Sequence, residues 1–255
     1  MAFIWSLVFI YILILFLKKK GEFIAETKAI FSTTKSSLYM IAAAIMLSFN
    51  WGIFIWAVED GRILETSLGY YINPMLNVLL GLMFLHERLT KLQWIAVGLA
   101  CSGIAVMVAR TGYLPWVSIT VPLSFAIYGL LKKYIKASPF TSSLLETLII
   151  SPLALGYLGY LFMHGENAYQ KFDATTIMYL VGAGVVTATP ILLFTACAKL
   201  LPLSTVGFMH YLSPSISMLI GIFMYNEVFT TTHAITFGLI WLGLTIYTYT
   251  QFKSK

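Results

Sequence analysis

Apolar stretches long enough to cross a lipid bilayer fill most of this sequence. A membrane-spanning helix needs roughly 20 apolar residues, and stretches of about this length follow one another with short connections between them. Only 10% of the residues are charged and 59% are apolar, whereas about 25% are charged in a typical soluble domain. We therefore predict an all-α membrane protein with nine transmembrane helices, at residues 2–17, 37–58, 66–85, 91–109, 113–131, 142–163, 175–198, 203–225 and 231–250.

The basic residues divide unequally between the two alternating sides of these predicted spans. Thirteen fall on one side, and only Arg62, Arg110 and Lys171 fall on the other. The positive-inside rule assigns the larger group to the cytoplasm, so we predict a cytoplasmic carboxyl terminus. The larger group consists of Lys18, Lys19, Lys20, Lys28, Lys35, Arg88, Lys91, Lys132, Lys133, Lys136, Lys199, Lys253 and Lys255.

Two segments of the sequence align without a gap. They are "SLGYYINPMLNVLLGLMFLHERLT" (67–90) and "GFMHYLSPSISMLIGIFMYNEVFT" (207–230). Each residue of the first segment is matched with the residue at a constant offset in the second, and we call this offset the repeat shift. The repeat shift covers five predicted spans, an odd number, so the two copies should cross the membrane in opposite directions. Such inverted repeats are typical of secondary transporters. The matched pairs include Tyr71 with Tyr211, Pro74 with Pro214, Gly81 with Gly221, Glu87 with Glu227 and Thr90 with Thr230.

This repeat predicts two domains of unequal helix number. Residues 1–110 would form a first repeat of four helices, and residues 111–255 a second repeat of five. The partner of the span at 113–131 would precede residue 1, so the sequence predicts a five-plus-five architecture without its first helix. An inactive truncated fragment is therefore one alternative to an active transporter.

Three stretches carry a resemblance to a known family. They are "NWGIFIWAVEDGRILETSLGYYINPMLNVLLGLMFLHERL", "LLETLIISPLAL" and "LSTVGFMHYLSPSISMLIGIFMYNE". With them the chain resembles the EamA-type drug/metabolite transporter superfamily, and within it the RarD (chloramphenicol-sensitive protein) group, over essentially its whole length. The resemblance implies a multi-pass permease or exporter of the bacterial inner membrane, without an ATP-hydrolysing partner.

Prolines inside predicted spans indicate helix kinks at Pro74, Pro190 and Pro214. The backbone carbonyls freed by a kink cannot face lipid, so they face protein or a wet cavity. Polar residues accompany two of these kinks at equivalent depths of the two repeats. One interpretation is a solute cavity near the membrane midplane, and the alternative is a packing kink whose amides bond between helices. The polar set is Asn73, Asn77, Ser213 and Ser217.

Aromatic and polar residues near the kinks extend this candidate cavity. A tyrosine offers a large apolar body and one polar tip, which suits an amphiphilic solute, although core filling or an interfacial belt explains such residues equally well. The complete set of candidate cavity residues is Asn50, Trp51, Tyr70, Tyr71, Asn73, Asn77, His210, Tyr211, Ser213 and Ser217.

Two ionisable residues inside predicted spans are candidates for proton coupling. His210 lies well inside a span, and an intramembrane ionisable group is a functional hypothesis by default. Glu146 is the second candidate. Its alternative role is structural, because Ser143 and Glu146 have the spacing of a helix capping box. For His210 the alternative is a hydrogen bond to a neighbouring helix without any titration.

Other repeated residues are predicted to be structural. Glu87 and Glu227 end apolar runs, and Thr90 with Gln93 fits a capping box at the start of the next helix. The glycines at 98, 103, 238 and 243 suit close helix approach.

The sequence contains no phosphate-binding loop, zinc signature or activated-nucleophile motif. We therefore predict no enzyme, no catalytic residue, no metal and no cofactor. The predicted function is secondary transport of a small organic solute by alternating access, in which the two repeats rock around the kinked third and eighth spans. A sensor or an intramembrane enzyme is the rival class. The expected partners are the lipid bilayer and a small-molecule substrate, with no nucleic acid and with a homodimer left open.

Overall fold

The computed structural model describes residues 2–112, 116–164, 174–225 and 230–253, and the regular structure in these ranges is entirely helical. The helices follow the apolar stretches because the spanning backbone must satisfy its hydrogen bonds within each segment. In chain order they are α1 (Ala2–Phe16), α2 (Lys20–Phe31), α3 (Thr34–Glu59), α4 (Ile63–Phe84), α5 (Lys91–Thr111), α6 (Trp116–Tyr134), α7 (Pro139–Met163), α8 (Ala174–Leu200), α9 (Leu203–His210), α10 (Leu212–Tyr225) and α11 (Thr231–Lys253).

Within the described part of the chain, four segments are both long and apolar enough to cross a bilayer. They are Thr34–Glu59, Lys91–Arg110, Pro139–Tyr160 and Met178–Leu200, and Ile4–Phe16 is a shorter apolar helix. Together with the all-helical architecture, these segments agree with the predicted membrane protein. The count of nine spans stays a prediction.

The connection predicted at residues 18–36 contains a helix of its own, α2. Glu26 of this helix accepts hydrogen bonds from the backbone N–H of Ser138 at 2.7 Å and from its hydroxyl at 2.8 Å. Since Ser138 directly precedes α7, these bonds tie α2 to the start of that helix.

The expected single span at 203–225 is divided into two helices. The break between α9 and α10 falls at Tyr211, three residues before Pro214. A proline supplies no N–H to the carbonyl four residues earlier, here that of His210, which weakens the helix at this point.

The other predicted kink prolines lie inside uninterrupted helices. Pro74 is in the middle of α4, and Pro190 is in the second half of α8. Pro122 of α6 and Pro152 of α7 are further internal prolines. Of the two prolines matched by the repeat shift, only Pro214 therefore accompanies a break between helices.

Two pairs of helices begin at residues matched by the repeat shift. The pairs of first residues are Ile63 and Leu203, and Lys91 and Thr231. The helix starts thus repeat with the same offset as the two aligned sequence segments.

The chain divides into two compact units. The first unit comprises Met1–Ser48 and Leu131–Leu200. Its apolar core joins α1, α7 and α8 through Ile10, Ile14, Leu144, Ala188 and Leu192. Helices α1 and α8 cross closely at Gly184, where an added Cβ would collide with the Cβ of Trp5.

The second unit comprises Phe49–Leu130 and Leu201–Lys255. Its core is rich in aromatic rings and includes Tyr71, Phe208, Tyr211, Phe237 and Tyr247. The rings of Phe208 and Tyr247 are stacked with centroids 3.9 Å apart, and those of Tyr71 and Phe237 meet edge to face at 5.5 Å. This aromatic packing connects α4, α9 and α11.

Glycines allow two close helix crossings in the second unit. An added Cβ at Gly103 of α5 would lie 2.9 Å from the carbonyl oxygen of Thr236, and one at Gly243 of α11 would lie 2.8 Å from that of Ala96. The predicted close approach is therefore confirmed at these two positions. It is wrong at Gly98 and Gly238, where a Cβ would meet no atom within 4 Å, because these positions point away from the crossing.

Candidate functional site

Asn73 and His210 form the centre of a polar cluster in the second unit. The side-chain Nδ2 of Asn73 in α4 lies 2.9 Å from Nδ1 of His210, the last residue of α9. The two atoms are at hydrogen-bonding distance, and the neutral ring accepts this bond from the amide when its proton is on Nε2. The two helices can approach because Gly207 presents no side chain to them. An added Cβ there would lie 2.7 Å from the carbonyl oxygen of Pro74.

Two amide oxygens of this cluster have no hydrogen-bond partner. Asn77 is fully buried, and its Nδ2 donates to the backbone oxygen of Asn73 at 3.1 Å. Oδ1 of Asn73 and Oδ1 of Asn77 are both buried and unpaired. A buried polar atom without a partner costs free energy, so each such atom calls for a ligand, a water molecule or another explanation. The cluster therefore offers two acceptors for donors that a solute could supply.

Aromatic rings lie beside this polar cluster. The ring of Phe125 in α6 is 5.9 Å from that of His210, measured between centroids. Tyr211 is fully buried, and its hydroxyl oxygen also lacks a hydrogen-bond partner. Tyr71 is nearly buried and packs in the aromatic core. Unpaired polar atoms and one aromatic ring, that of Phe125, therefore lie close together at this cluster.

The remaining predicted cavity residues differ from this cluster in their burial and in their hydrogen bonds. Asn50 of α3 donates through Nδ2 to the carbonyl oxygen of Val121 at 2.7 Å and to Ser124 Oγ at 3.0 Å, so this amide ties α3 to α6. The structure thus brings together Asn73, Asn77 and His210, while Asn50 bonds α6 instead. Trp51 is half-buried, Tyr70 and Ser213 are exposed, and the side chain of Ser217 lies outside the described residues.

Glu87 holds the first turn of α9, the short helix that carries His210. Its carboxylate accepts hydrogen bonds from the backbone N–H groups of Leu203 at 2.6 Å and Ser204 at 3.0 Å. The residue before α9 is Pro202, which provides no side-chain cap. A carboxylate at a helix amino terminus satisfies free donors and complements the helix dipole. The predicted structural role of Glu87 is confirmed, and its repeat partner Glu227 lies outside the described residues.

Thr90 and Gln93 form the predicted capping box at the start of α5. The threonine hydroxyl accepts from the Gln93 N–H, and the Gln93 side chain accepts from the Thr90 N–H. This cap fixes the start of α5 immediately after the turn that carries Glu87.

A second polar cluster lies in the first unit, around Glu146 of α7. The ammonium group of Lys132 in α6 donates to Glu146 Oε1 and, at 2.7 Å, to the hydroxyl of Ser142. The side chains of Lys132 and Glu146 are 0% and 1% exposed. The cluster is therefore an ion pair that is almost completely removed from solvent.

The capping-box interpretation of Ser143 and Glu146 is wrong. Helix α7 begins at Pro139 and is capped by Ser138, whose hydroxyl accepts from the N–H of Thr141. Glu146 therefore lies two turns into the helix, too far from its start to cap it.

A small cavity adjoins this ion pair. Its volume is about 20 Å³, and its surface is formed by apolar atoms of the residues around it. The hydroxyl of Ser143 is buried there without a hydrogen-bond partner. The polar residues that line the cavity are Glu146, Ser143 and Thr147 of α7, Ser6 of α1 and Thr187 of α8.

Lys132 is the functional candidate that the sequence reasoning missed. In the sequence it belongs to the predicted cytoplasmic lysines, because it precedes Lys133 at the end of an apolar run. The sequence feature that could have indicated its role is an acidic residue, Glu146, in the next helix, which follows after one short turn. Phe125 was missed too, since one phenylalanine among 18 in the sequence carries no distinguishing signal.

The sequence of this chain is similar to those of known proteins. The profile of the EamA-like transporter family matches residues 1–109 and again residues 114–249. The chain is 42% identical over 253 residues to the uncharacterized transporter YojE of Bacillus subtilis, and the match covers 99% of this chain and 84% of the relative. It is 35% identical to the protein RarD of Escherichia coli, over 99% of this chain and 85% of that one. The chloramphenicol-sensitive protein RarD of Pseudomonas aeruginosa is 29% identical, over 94% and 80% of the two chains.

A protein of known crystal structure has the same fold. It superposes with a TM-score of 0.69 over 97% of this chain and 85% of its own length, at 15% sequence identity. At this low identity the likeness concerns the fold alone. The two family matches and the similarity to RarD proteins over nearly the full chain identify a membrane transporter: the chain belongs to the EamA-like transporter family.

Proposed function

We propose that this protein is a secondary transporter that moves a small organic solute across the bacterial inner membrane by alternating access. The observation that carries the proposal is the Asn73–His210 cluster. It combines buried unpaired amide oxygens with adjacent aromatic rings at a break between two helices. A helix interruption beside polar groups is the usual form of a transporter binding site.

The internal symmetry of the chain supports an inverted-repeat mechanism. Two pairs of helices begin at residues matched by the repeat shift, and the family profile matches twice. The crossing of α5 and α11 is reciprocal: Gly103 faces Thr236, and Gly243 faces Ala96. The repeat shift matches the two glycines with each other, and it also matches Ala96 with Thr236. Such reciprocity is expected of two copies related by a pseudo-twofold axis.

The chemistry of the cluster defines the class of solute. The unpaired oxygens of Asn73 and Asn77 accept hydrogen bonds, so the solute should carry N–H or O–H donors. The ring of Phe125 favours an apolar or aromatic body beside those donors. Chloramphenicol has both properties, and one relative is named as chloramphenicol-sensitive, which makes it a suitable first probe.

The test compares cells that produce the full chain with cells that produce the Asn73→Ala variant. Mass spectrometry of cell extracts and medium would identify solutes whose distribution depends on the protein, and labelled chloramphenicol would be followed in parallel. A solute identified in this way would then be measured in proteoliposomes by counterflow. We expect at least one donor-bearing amphiphilic solute to be exchanged, and exchange to be weaker in the variant.

Three other results would contradict all or part of this proposal. The proposal fails if no metabolite or drug changes its distribution with expression and if no counterflow is measured, while the protein is present and folded in the membrane. A solute that is chemically altered rather than redistributed would favour an intramembrane enzyme. Transport that is unaffected by Asn73→Ala would retain the transporter and reject this site.

A further inference from the structure

Helix α2 follows α1 and precedes α3 in the chain, but it cannot itself cross a bilayer. It has 12 residues and carries charges along its length, whereas a spanning helix needs roughly 20 apolar residues. Helix α1 ends at Phe16 and α3 begins at Thr34, and both belong to predicted spans. The short connections on either side therefore hold α2 at the boundary between lipid and water.

One face of α2 is fixed against the first unit. Phe23 packs on the apolar core of α1, α7 and α8, and Ile30 is buried. The carboxylate of Glu26 accepts the two hydrogen bonds from Ser138. Residues three and four positions apart lie on the same side of a helix, so these three residues of α2 set its rotation about its axis.

Another face of α2 is exposed and alternates lysine with apolar residues. It consists of Lys20, Ile24, Lys28 and Phe31, which follow one another at helical spacing, and we call it the α2 stripe. Ile24 and Phe31 are 43% and 47% exposed. Such a face is typical of helices that lie in a membrane interface, because the apolar side chains enter the acyl boundary and the long lysines reach the headgroups.

The lysines of the α2 stripe lack a counter-charge within the described part of the protein. Residues 18–35 contain five lysines and only two acids. Both acids are already engaged: Glu22 pairs with Lys19 at 3.2 Å, and Glu26 is bonded to Ser138. Among the described residues, Lys20 and Lys28 form no ion pair. An anion from outside the protein can therefore neutralise them without breaking an existing contact.

We propose that the α2 stripe is a binding surface for anionic phospholipids, with Lys20 and Lys28 on the headgroup phosphates and Ile24 and Phe31 in the acyl boundary. Anionic lipids give the cytoplasmic leaflet its negative surface potential, and the positive-inside rule assigns this segment to the same side. An acidic protein could supply the charge as well, but it would not account for the apolar residues that alternate with the lysines at the edge of the bilayer.

A bound lipid would also stabilise the first unit. Because Glu26 and Ser138 connect α2 to the start of α7, a lipid that holds α2 on the membrane surface favours the packed arrangement of both helices. This surface is separate from the proposed solute site, and lipid binding does not depend on whether the protein transports a solute.

The experiment uses the full chain purified in a neutral detergent. Phosphatidylglycerol or phosphatidylcholine with the same acyl chains is added, native mass spectrometry counts the lipids that remain bound, and thermal unfolding is followed in the same samples. We expect phosphatidylglycerol to bind more tightly and to raise the Tm more than phosphatidylcholine does. A rise in ionic strength from about 0.1 M to about 1 M should reduce this difference, because salt screens the attraction between exposed charges.

Three double variants test whether the lysines of the α2 stripe carry the preference. Lys20→Gln with Lys28→Gln should lower the apparent affinity for phosphatidylglycerol about thirtyfold, since each lysine at an anionic surface contributes about fivefold. The Tm of this variant without lipid should be unchanged, because both lysines are exposed. Lys20→Arg with Lys28→Arg keeps the charges and should keep the preference. Lys91→Gln with Lys253→Gln makes the same charge change at two other exposed lysines of the predicted cytoplasmic side and should retain most of it.

Four results would overturn the proposal. The folded wild-type chain could retain the two lipids equally, or the glutamine variant of Lys20 and Lys28 could bind phosphatidylglycerol as the wild type does. An equal loss in the variant of Lys91 and Lys253 would assign the preference to the net charge of the protein and reject the α2 stripe. Glycerol phosphate carries the same phosphate without acyl chains. If it displaces phosphatidylglycerol at equal concentration, the ligand is a soluble phosphate compound and not a lipid.

Discussion

Among individual residues, Asn73 shows most clearly how one amide can serve both the fold and the site. Its Nδ2 is bonded to His210 and its backbone oxygen to Asn77, while its Oδ1 remains unpaired. Asn50 is buried to a similar degree, but its Nδ2 ties α3 to α6. The two asparagines therefore form a natural pair for separating recognition from stability.

We predict that Asn73→Ala weakens binding of the transported solute by about tenfold, because the variant removes one acceptor from the site, a loss of about 1.4 kcal/mol. Counterflow in proteoliposomes would measure this as a higher half-saturation concentration. Asn50→Ala should instead lower the thermal stability and leave the half-saturation concentration unchanged. Equal effects of the two substitutions on affinity would contradict the assignment of Asn73 to the solute.

A substitution at His210 tests whether this residue binds solute or carries a coupling proton. A protonated Nδ1 can only donate, so uptake of a proton there would require the amide of Asn73 to turn its unpaired oxygen toward the ring. His210→Gln keeps a hydrogen-bonding side chain but cannot titrate. We expect the variant to bind solute more weakly in proteoliposomes, because the bond to Asn73 is altered. If His210→Gln instead loses only accumulation against a gradient and keeps downhill exchange, His210 carries a coupling proton.

At the scale of helices, contacts between backbone atoms decide which glycines matter. Gly103 and Gly243 face carbonyl oxygens of the opposite helix, and Gly98 and Gly238 face open space. The four glycines have the same sequence signature, a spacing of five residues in each repeat. Only the rotation of α5 and α11 about their axes separates the two classes.

We predict that alanine changes the stability of the protein in opposite directions at the two classes of glycine. Gly103→Ala and Gly243→Ala should each destabilise the protein by about 1–3 kcal/mol, because the added methyl group forces the helix backbones apart. Gly98→Ala and Gly238→Ala should be neutral or stabilising by up to about 1 kcal/mol, because alanine favours the helix. Thermal unfolding of the four variants in one detergent would measure this. Similar losses at all four positions would show that α5 and α11 do not cross as described.

The whole molecule is organised by compact units that differ from the two predicted sequence repeats. Each unit combines a segment from the first half of the chain with one from the second. Each unit also contains one of the two polar clusters, Asn73–His210 in one and Lys132–Glu146 in the other. The two polar clusters therefore lie in separate packing units of the same chain.

Membrane topology is the prediction at this scale. Because the lysines divide unequally between the alternate sides of the predicted spans, reporter fusions after Lys20 and at the carboxyl terminus should be cytoplasmic. A fusion after His164, at the end of α7, should be periplasmic. Alkaline phosphatase and green fluorescent protein fusions distinguish the two sides. A cytoplasmic signal after His164 would contradict both the nine-span count and the inverted repeat.

The sequence by itself determined the class of fold and most helix positions. Long apolar runs in lipid can only become helices, because every backbone hydrogen bond must be made within the segment. The helix starts at 34, 63, 91, 203 and 231 therefore lie within a few residues of the predicted spans. The cap at Thr90 and the structural role of Glu87 were also predictable, since capping depends on local residue types.

Tertiary structure alone decided which polar groups meet. Asn73 and His210 are far apart in the chain, and the approach of α4 to α9 at Gly207 brings them together. The sequence pattern groups Lys132 with the surface charges, whereas the packing of α6 against α7 buries it beside Glu146. Apolar periodicity carries little information on the rotation of a helix that is hydrophobic on all sides. For that reason the sequence indicated which residues could form a site, while only the packing determined which of them do.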